Sequence, residues 1–322
     1  MKLAVCSGVL GRLNLEQACA YLESKGVPAM EVGSGGYSGK AYCDPEVLLG
    51  DEEKLQAFVD TFKRHHIEIA ALSVHGNPVH PNPAKAKAYH DDFINAVYLA
   101  EKLGVERLVG FSGCPGGSAQ DATPNWVTCA WPTDFRNTLD YQWNEVLIPY
   151  WAKTAAFAKD HGVTKIALEM HPGFCVYNPE TLLKLRAAAG DAIGANLDPS
   201  HLFWQGIDPV MAVRELGDAI YFFHAKDTKL DAANIARNGV LDVKKYQNIN
   251  ERSWTFRTVG YGHSMLEWNN IISELRMNGY DDVLCIEHED GLMSGNEGLS
   301  KAISFLQQVQ ITETPGAMYW TQ

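Results

Sequence analysis

The apolar residues of this chain fall into short runs that alternate with longer amphipathic segments. The pattern is clearest in the middle of the chain, where apolar runs occupy residues 165–172, 193–201 and 220–228. The segments between them, 178–190 and 208–217, begin with Asn-Pro or Asp-Pro, keep apolar residues at helical spacing, and end at glycine. Runs of this length indicate strands, and the intervening signals indicate helices. Strands joined by crossovers of this length pair in parallel.

The same unit recurs along the whole chain. Eight apolar runs are each followed by a segment with helical spacing; they lie at 2–7, 28–34, 67–76, 106–113, 165–172, 193–201, 220–228 and 281–290. Eight such pairs predict an α/β fold, a (β/α)8 TIM barrel, formed as a single domain over residues 1–322. An open doubly wound sheet is the alternative. It does not easily bring the polar ends of strands five to eight to one place, whereas a barrel gathers them at one mouth.

Two stretches lack a clear helix or strand pattern. They are insertions at about 114–139, after strand four, and about 229–258, after strand seven, and both therefore lie on the carboxyl-terminal face of the barrel. Long loops without secondary structure are usually functional. We expect them either to roof the site or to serve as surface or subunit contacts, and the sequence favours neither.

Composition and charge exclude some partners. The 27 basic and 39 acidic residues give a formal net charge of −12, which argues against nucleic acid as a partner, because affinity for a phosphate backbone depends on clustered Lys and Arg.

No apolar stretch approaches the ~20 residues of a membrane span. The seven cysteines are odd in number, scattered along the chain and without a CxxC pair, which favours a reducing compartment over a disulfide framework. The start of the chain lacks a signal-like pattern. We expect a cytoplasmic protein, with a homo-oligomer left open.

Four residues with metal-binding side chains follow successive predicted strands. Glu169, Asp198, His224 and Glu287 supply three carboxylates and one imidazole. This oxygen-rich set favours one divalent ion, Mn²⁺ foremost, with Mg²⁺, Co²⁺ or Zn²⁺ as alternatives. Each residue alone would be an ordinary strand-end residue. Their shared position is informative because buried, unpaired carboxylates are unfavourable without a compensating charge.

The motifs LEMHP, NLDPSH, FHAKD and IEHED, together with RTVGYGH at 257–263, resemble the xylose isomerase-like barrel superfamily of sugar isomerases and epimerases. The resemblance implies that Glu169, Asp198, His224 and Glu287 bind one catalytic divalent metal. It also implies that Glu169 and Glu287 flank the substrate carbon and exchange its proton. The expected function is therefore a metal-dependent isomerase or epimerase acting on a ketose or keto-sugar through an enediolate.

The superfamily also contains DNA-repair enzymes with three metals, and the residues argue against that branch. His75 and His201 are present, but strand four (LVGFSG) has no histidine and the stretch after His224 lacks an Asp-x-His. The second and third metals of that branch therefore lack ligands.

Further polar and aromatic residues near the strand ends are candidates for catalysis or substrate binding. His171 lies two residues after Glu169 and hence on the same strand face, where it is either a second base or a hydrogen-bond partner. The candidates for substrate binding are His201, Lys226, Arg257, His75 and Trp204. Each has a plainer alternative: an ion pair for Lys226, a loop tie for Arg257, core packing for Trp204 and a strand-end role for His75.

Two other functions stay open. The first is a metal-dependent lyase acting on a 3-keto-glycoside, in which the same proton abstraction expels a substituent. The second is a non-catalytic binding subunit. The presence of all four predicted metal ligands argues against it. In each case the expected partner is a small sugar.

Overall fold

Eight parallel strands close into a barrel in the computed structural model, which describes residues 1–321. The barrel strands are β1 (Lys2–Cys6), β2 (Ala29–Gly33), β3 (Glu68–Ser73), β4 (Arg107–Gly110), β5 (Lys165–Glu169), β6 (Ile193–Leu197), β7 (Ile220–Ala225) and, after two further strands, β10 (Val283–Ile286). Around the barrel the order is β1, β10, β7, β6, β5, β4, β3, β2. The predicted (β/α)8 barrel is confirmed, and the open sheet is excluded because β1 pairs with β10.

Helices surround the barrel, and the main apolar core lies between them and the strands. They are α1 (Leu15–Ser24), α2 (Pro45–Leu49), α3 (Glu52–Arg64), α4 (Pro83–Leu103), α5 (Thr133–Asp140), α6 (Ile148–Asp160), α7 (Pro179–Ala189), α8 (Pro199–Phe203), α9 (Pro209–Leu216), α10 (Ala232–Asn238), α11 (Met265–Met277) and α12 (Gly295–Val309). Within residues 1–321, none of them combines the length and apolar character that crossing a bilayer requires.

The helix boundaries follow local capping signals. At α7, Asn178 accepts a hydrogen bond from the backbone N–H of Thr181, Pro179 occupies the first turn, and the helix ends before Gly190. A proline at the first turn has no N–H to leave unpaired, and glycine accommodates the backbone that ends the helix. These signals explain why the helix limits could be placed from sequence.

Mostly small apolar side chains, together with Phe222, fill the barrel interior. A second apolar cluster, separate from the main core, contains Ala4, Ala71, Val109, Ala167 and Phe222. The barrel is thus packed through its centre, and polar side chains gather at the carboxyl ends of the strands, where TIM barrels place their sites.

The prediction that residues 229–258 are irregular is wrong. This segment forms β8 (Asp227–Leu230), α10 and β9 (Trp254–Arg257), and β8 pairs antiparallel with β9. The two strands are separated by more than twenty residues, so the pairing has no local turn signal. The segment at 114–139 is irregular up to α5, which runs through a π-helical stretch, Tyr141–Leu147, into α6.

The motif at 257–263 has a structural explanation in Asp227. Its Oδ2 accepts hydrogen bonds from the backbone N–H groups of Gly260, Gly262 and His263, each at 3.0 Å. Its Oδ1 lies 2.7 Å from Nδ1 of His263. One buried carboxylate therefore fixes the loop between β9 and α11 against the end of β7.

Candidate metal centre

The four residues predicted to bind a metal converge at the mouth of the barrel. Glu169, Asp198, His224 and Glu287 each place one ligand atom within 4.8 Å of the others. They come from β5, β6, β7 and β10, which are consecutive neighbours around the barrel. Three are fully buried, and the side chain of Glu287 is 22% exposed, so the group is accessible from one side.

Local structure positions these side chains. Glu169 is the last residue of β5, and its neighbour in the sheet, Asn196 of β6, donates a hydrogen bond to it at 3.2 Å. Asp198 is the N-cap of α8, where its Oδ1 accepts from the N–H of Ser200 at 2.8 Å. The cap occupies one carboxylate oxygen and leaves Oδ2 for the site.

Three histidines surround the carboxylate of Glu169. Its Oε1 lies 3.0 Å from Nε2 of His201, and its Oε2 lies 3.2 Å from Nε2 of His75 and 3.3 Å from Nδ1 of His224. Burial disfavours the ionised form of Glu169, but its close contacts with these histidines outweigh burial and hold its pKa well below the usual range. Glu169 is therefore a carboxylate, and His75 and His201 contact it directly.

The sequence analysis missed the role of Glu31. This residue is the central residue of β2, is fully buried, and accepts a hydrogen bond from Nε2 of His224 at 2.7 Å. The bond leaves Nδ1 of His224 facing Glu169 and Glu287, at 3.3 Å from each. Burial disfavours protonation of His224, but these carboxylates outweigh burial and raise its pKa well above the usual range. The signal in the sequence is a lone acid within an apolar strand, which requires a buried partner.

Lys226 lies beside the same carboxylates. Its Nζ is 2.7 Å from Glu287 Oε2, 3.0 Å from Glu289 Oε2 and 3.1 Å from Asp198 Oδ2. Burial favours the neutral amine, but the carboxylates outweigh burial and raise the pKa of Lys226 well above its usual range. The alternative to substrate binding predicted for Lys226 was an ion pair, and the structure contains such pairs. They lie at the mouth of the barrel.

The residues present fit a divalent cation. Oδ2 of Asp198 and Nδ1 of His224 are buried and face the group. Within residues 1–321 they have neighbours at charge-pair distance but no hydrogen bond with acceptable geometry. Four carboxylates, those of Glu31, Glu169, Asp198 and Glu287, are gathered here. A hard or borderline divalent ion matches both this excess of negative charge and the oxygen-rich donors.

His171 adds a second group that shares Glu169. Ligand atoms of Glu169, His171 and His201 lie within 4.8 Å of one another, and the rings of the two histidines have centroids 4.1 Å apart. Nδ1 of His171 donates to the carbonyl of Pro172 at 2.6 Å, so a neutral His171 carries its lone pair on Nε2. Burial lowers the pKa of His171.

The two remaining predicted residues lie farther out. Nε of Arg257 donates to Asp290 at 3.0 Å, and Arg257 also lines a cavity of about 470 Å³ beside the mouth. Trp204 stacks on Trp254, with ring centroids 4.6 Å apart, and lines a neighbouring cavity. The alternatives to substrate binding are therefore observed: Arg257 holds its loop through Asp290, and Trp204 packs on an aromatic ring. Each residue also lines a cavity.

The closed barrel and its polar mouth define a TIM barrel protein with an enzyme-like site. A model of the family described as xylose isomerase-like TIM barrel matches residues 14–309. The chain is also 37% identical over 310 residues to the uncharacterized protein YfiH of Bacillus subtilis (strain 168), covering 96% of this chain and 99% of YfiH. The chain belongs to the xylose isomerase-like TIM barrel family.

Solved structures share the fold. The IolI protein with a bound zinc atom has a TM-score of 0.65 and 20% identity, and the match covers 96% of this chain and 98% of IolI. A D-tagatose 3-epimerase-like protein has a TM-score of 0.62 and 20% identity, with coverage of 96% and 98%. At these identities the similarity shows the fold alone.

Proposed function

We propose that this protein is a divalent-metal-dependent sugar isomerase or epimerase that acts on a ketose or keto-sugar. The observation that carries the proposal is the convergence of Glu169, Asp198, His224 and Glu287 at the ends of four neighbouring strands. Membership of a family whose fold neighbours include an epimerase-like protein supports the reaction class.

Glu169, Asp198, His224 and Glu287 would hold the ion, with Mn²⁺ favoured because three of the four ligands are carboxylates. A divalent ion bound there would polarise the substrate carbonyl and stabilise the negative charge that develops on its oxygen.

Glu169 and Glu287 suit the two proton transfers, because their strands are separated by two others around the barrel. One carboxylate removes the proton from the carbon beside the carbonyl, and the remaining electron pair forms the carbon–carbon double bond of an enediolate. The other glutamate, protonated as the carboxylic acid, gives its proton to carbon. Delivery to the opposite face of the same carbon epimerises the sugar. Delivery to the neighbouring carbon, with a hydroxyl proton passing from one oxygen of the enediolate to the other, isomerises it.

Lys226, His201 and His75 complete the polar surface. Lys226 is 2% exposed and stays charged beside Glu287, so it supplies positive charge to a developing oxyanion. His201 and His75 hold Glu169 in place and offer donors to substrate hydroxyls at the same mouth.

A lyase acting on a 3-keto-glycoside is the second candidate, and His171 favours it. This residue is not one of the four metal-binding candidates, and its neutral form has an unprotonated Nε2 beside the mouth cavities. It could remove the proton beside the carbonyl while the substituent on the next carbon leaves with its bonding electrons.

Deuterium exchange tests the proposal. The Mn²⁺-loaded protein is incubated in D₂O with a panel of ketoses and 3-keto-glycosides, and the products are followed by NMR and mass spectrometry. We expect deuterium in a sugar with a changed stereocentre or carbonyl position, and loss of this activity in Glu169→Gln. Glu180→Gln, a change of an exposed glutamate on α7, is the matched control and should keep the activity.

Two other outcomes are decisive. Release of an aglycone, abolished in His171→Gln but not in Glu180→Gln, would replace the isomerase proposal with the lyase. Absence of exchange with every substrate, with bound metal verified, would contradict both.

A further inference from the structure

An aromatic cavity of about 310 Å³ adjoins the proposed metal centre. Its walls include Trp126 of the first inserted segment, Trp204 at the end of α8, and three aromatic residues of the second inserted segment, Tyr246, Trp254 and Phe256. His171 and His201 line the same cavity, so it opens directly onto the side chains around Glu169. It is therefore a continuation of the mouth and is separate from the four candidate metal ligands.

Stacking and cation contacts fix the aromatic walls. Trp204 lies against Trp254, and the ring of Tyr246 stacks on that of Phe256 with centroids 5.8 Å apart. The guanidinium of Arg252, which is 2% exposed, lies 4.3 Å from the ring centroid of Tyr246 and 4.7 Å from that of Trp254. This packing holds the rings in one arrangement before any ligand arrives, which lowers the entropy lost on binding.

The indole nitrogens of these walls are not open to the cavity. Within residues 1–321, Nε1 of Trp126 and Nε1 of Trp204 are buried, and Nε1 of Trp254 donates to the carbonyl of Val240 at 3.0 Å. The surface that the walls offer to a ligand is therefore mostly apolar.

We propose that this cavity is a second-ring subsite that binds a planar aromatic substituent of the sugar. Its aromatic, mostly apolar walls match an aryl ring better than a ring covered with hydroxyls, which would leave most hydroxyls unpaired here. The inference rests on the proposed keto-sugar site and names its substrate class, an aryl glycoside carrying a ketone.

The position of the carbonyl follows from this assignment. A glycosidic bond blocks the anomeric carbon, so an aryl glycoside has no free carbonyl there. The ketone that acidifies the exchanged proton must then lie on another carbon of the sugar ring.

Binding of glycosides without a ketone tests the subsite independently of turnover. The dissociation constants of phenyl glucoside and methyl glucoside, each as both anomers, are measured for the Mn²⁺-loaded protein by ligand-observed NMR titration. We expect phenyl glucoside to bind about tenfold or more tightly than methyl glucoside, because only the phenyl ring fills the aromatic cavity.

Variants assign the effect to the cavity. Trp126→Ala and Trp204→Ala each remove an aromatic wall, and each should weaken binding of phenyl glucoside about fivefold with little change for methyl glucoside. Trp131→Ala is the matched control, because Trp131 lies on the same inserted segment as Trp126 and is 78% exposed. Circular dichroism verifies the fold of each variant.

Equal affinity for phenyl and methyl glucosides would overturn the subsite. Tighter binding of cellobiose or maltose than of phenyl glucoside would overturn the aromatic assignment in favour of a second sugar. Because these probes lack a ketone, a failed deuterium exchange experiment and a failed binding experiment are separate results.

Discussion

Nε2 of His224 donates a hydrogen bond to the carboxylate of Glu31 across 2.7 Å, although the two residues are 193 positions apart in the chain. Both side chains are fully buried. The bond orients the imidazole so that Nδ1 faces Glu169 and Glu287. A carboxylate behind a ligand histidine fixes the ring and increases its basicity, and so favours metal binding.

Replacing this partner should weaken the metal centre. We expect Glu31→Gln to lower the affinity for Mn²⁺ about 10- to 100-fold, because the amide neither carries the charge nor accepts the bond as strongly. Isothermal titration of the metal-free protein measures the change. Glu68→Gln, which alters a half-exposed glutamate on β3 paired with Lys2, should leave the affinity unchanged. Equal affinity of Glu31→Gln and the wild type would show that Glu31 does not support the centre.

Lys226 should stabilise the metal-free protein more than the loaded one. Removing one partner of a buried ion pair leaves uncompensated charge and costs about 3–5 kcal/mol. We therefore expect Lys226→Met to reduce the free energy of unfolding by that order in EDTA, and by clearly less with saturating Mn²⁺, because the ion then neutralises the carboxylates. Urea unfolding in both conditions checks this.

Lys229→Met is the reference for that experiment, since Lys229 is exposed on the neighbouring strand β8. Its unfolding should be unchanged in either condition. If Lys226→Met lost the same stability with and without Mn²⁺, the lysine would not be compensating the charge of the metal site.

The wall of the aromatic cavity should loosen in acid through Asp242. Burial disfavours its ionised form, but hydrogen bonds from the N–H groups of Ser253 and Lys244 outweigh burial and lower the pKa of Asp242 to about 2. Since this value lies below the ordinary value of about 3.9 in the unfolded chain, Asp242 stabilises the fold above about pH 4, and the contribution is lost as the pH falls toward 2.

Hydrogen exchange of the Lys244 and Ser253 amides measures this contribution. At each pH the wild type is compared with Asp242→Asn, which removes the charge while keeping the size. Protection should be greater in the wild type at neutral pH, and the difference should shrink as the pH is lowered below about 4. A difference that is constant over this range would contradict the assignment.

Gly262 should be intolerant of any side chain. A Cβ atom at this position would lie 2.2 Å from the carbonyl oxygen of Thr228 and 2.5 Å from Oδ1 of Asp227. We expect Gly262→Ala to lower the free energy of unfolding by about 1–3 kcal/mol, because the backbone around Asp227 must move. Thermal unfolding compares it with Gly316→Ala, whose added Cβ meets open space. Equal melting temperatures would show that the loop adapts without loss.

The barrel and the convergence of its polar strand ends could be predicted from sequence because both depend on local signals. Strand length, helix caps such as Asn178, and the closing glycines are each visible in a few residues. Residues at the carboxyl ends of parallel strands then meet through the geometry of the fold. The four candidate ligands were found in this way.

The contacts that depend on distant pairing could not be predicted. Glu31 lies in the middle of β2, and only the closed barrel places it against His224. The pairing of Asp227 with Arg257 similarly joins residues separated by a long insertion, so β8 and β9 looked irregular. The stacking of Trp204 on Trp254 arises from the same pairing, because Trp254 belongs to β9.

The closure of the barrel has a consequence for when an ion can bind during synthesis. β1 pairs with β10, and β10 is followed at once by Glu287, while the histidine of β7 is held by an acid from β2. The binding set is therefore complete only after the last strand has left the ribosome and joined the first. Metal uptake would then be a late step that follows folding, and occupancy by metal would report that a newly made chain has closed correctly.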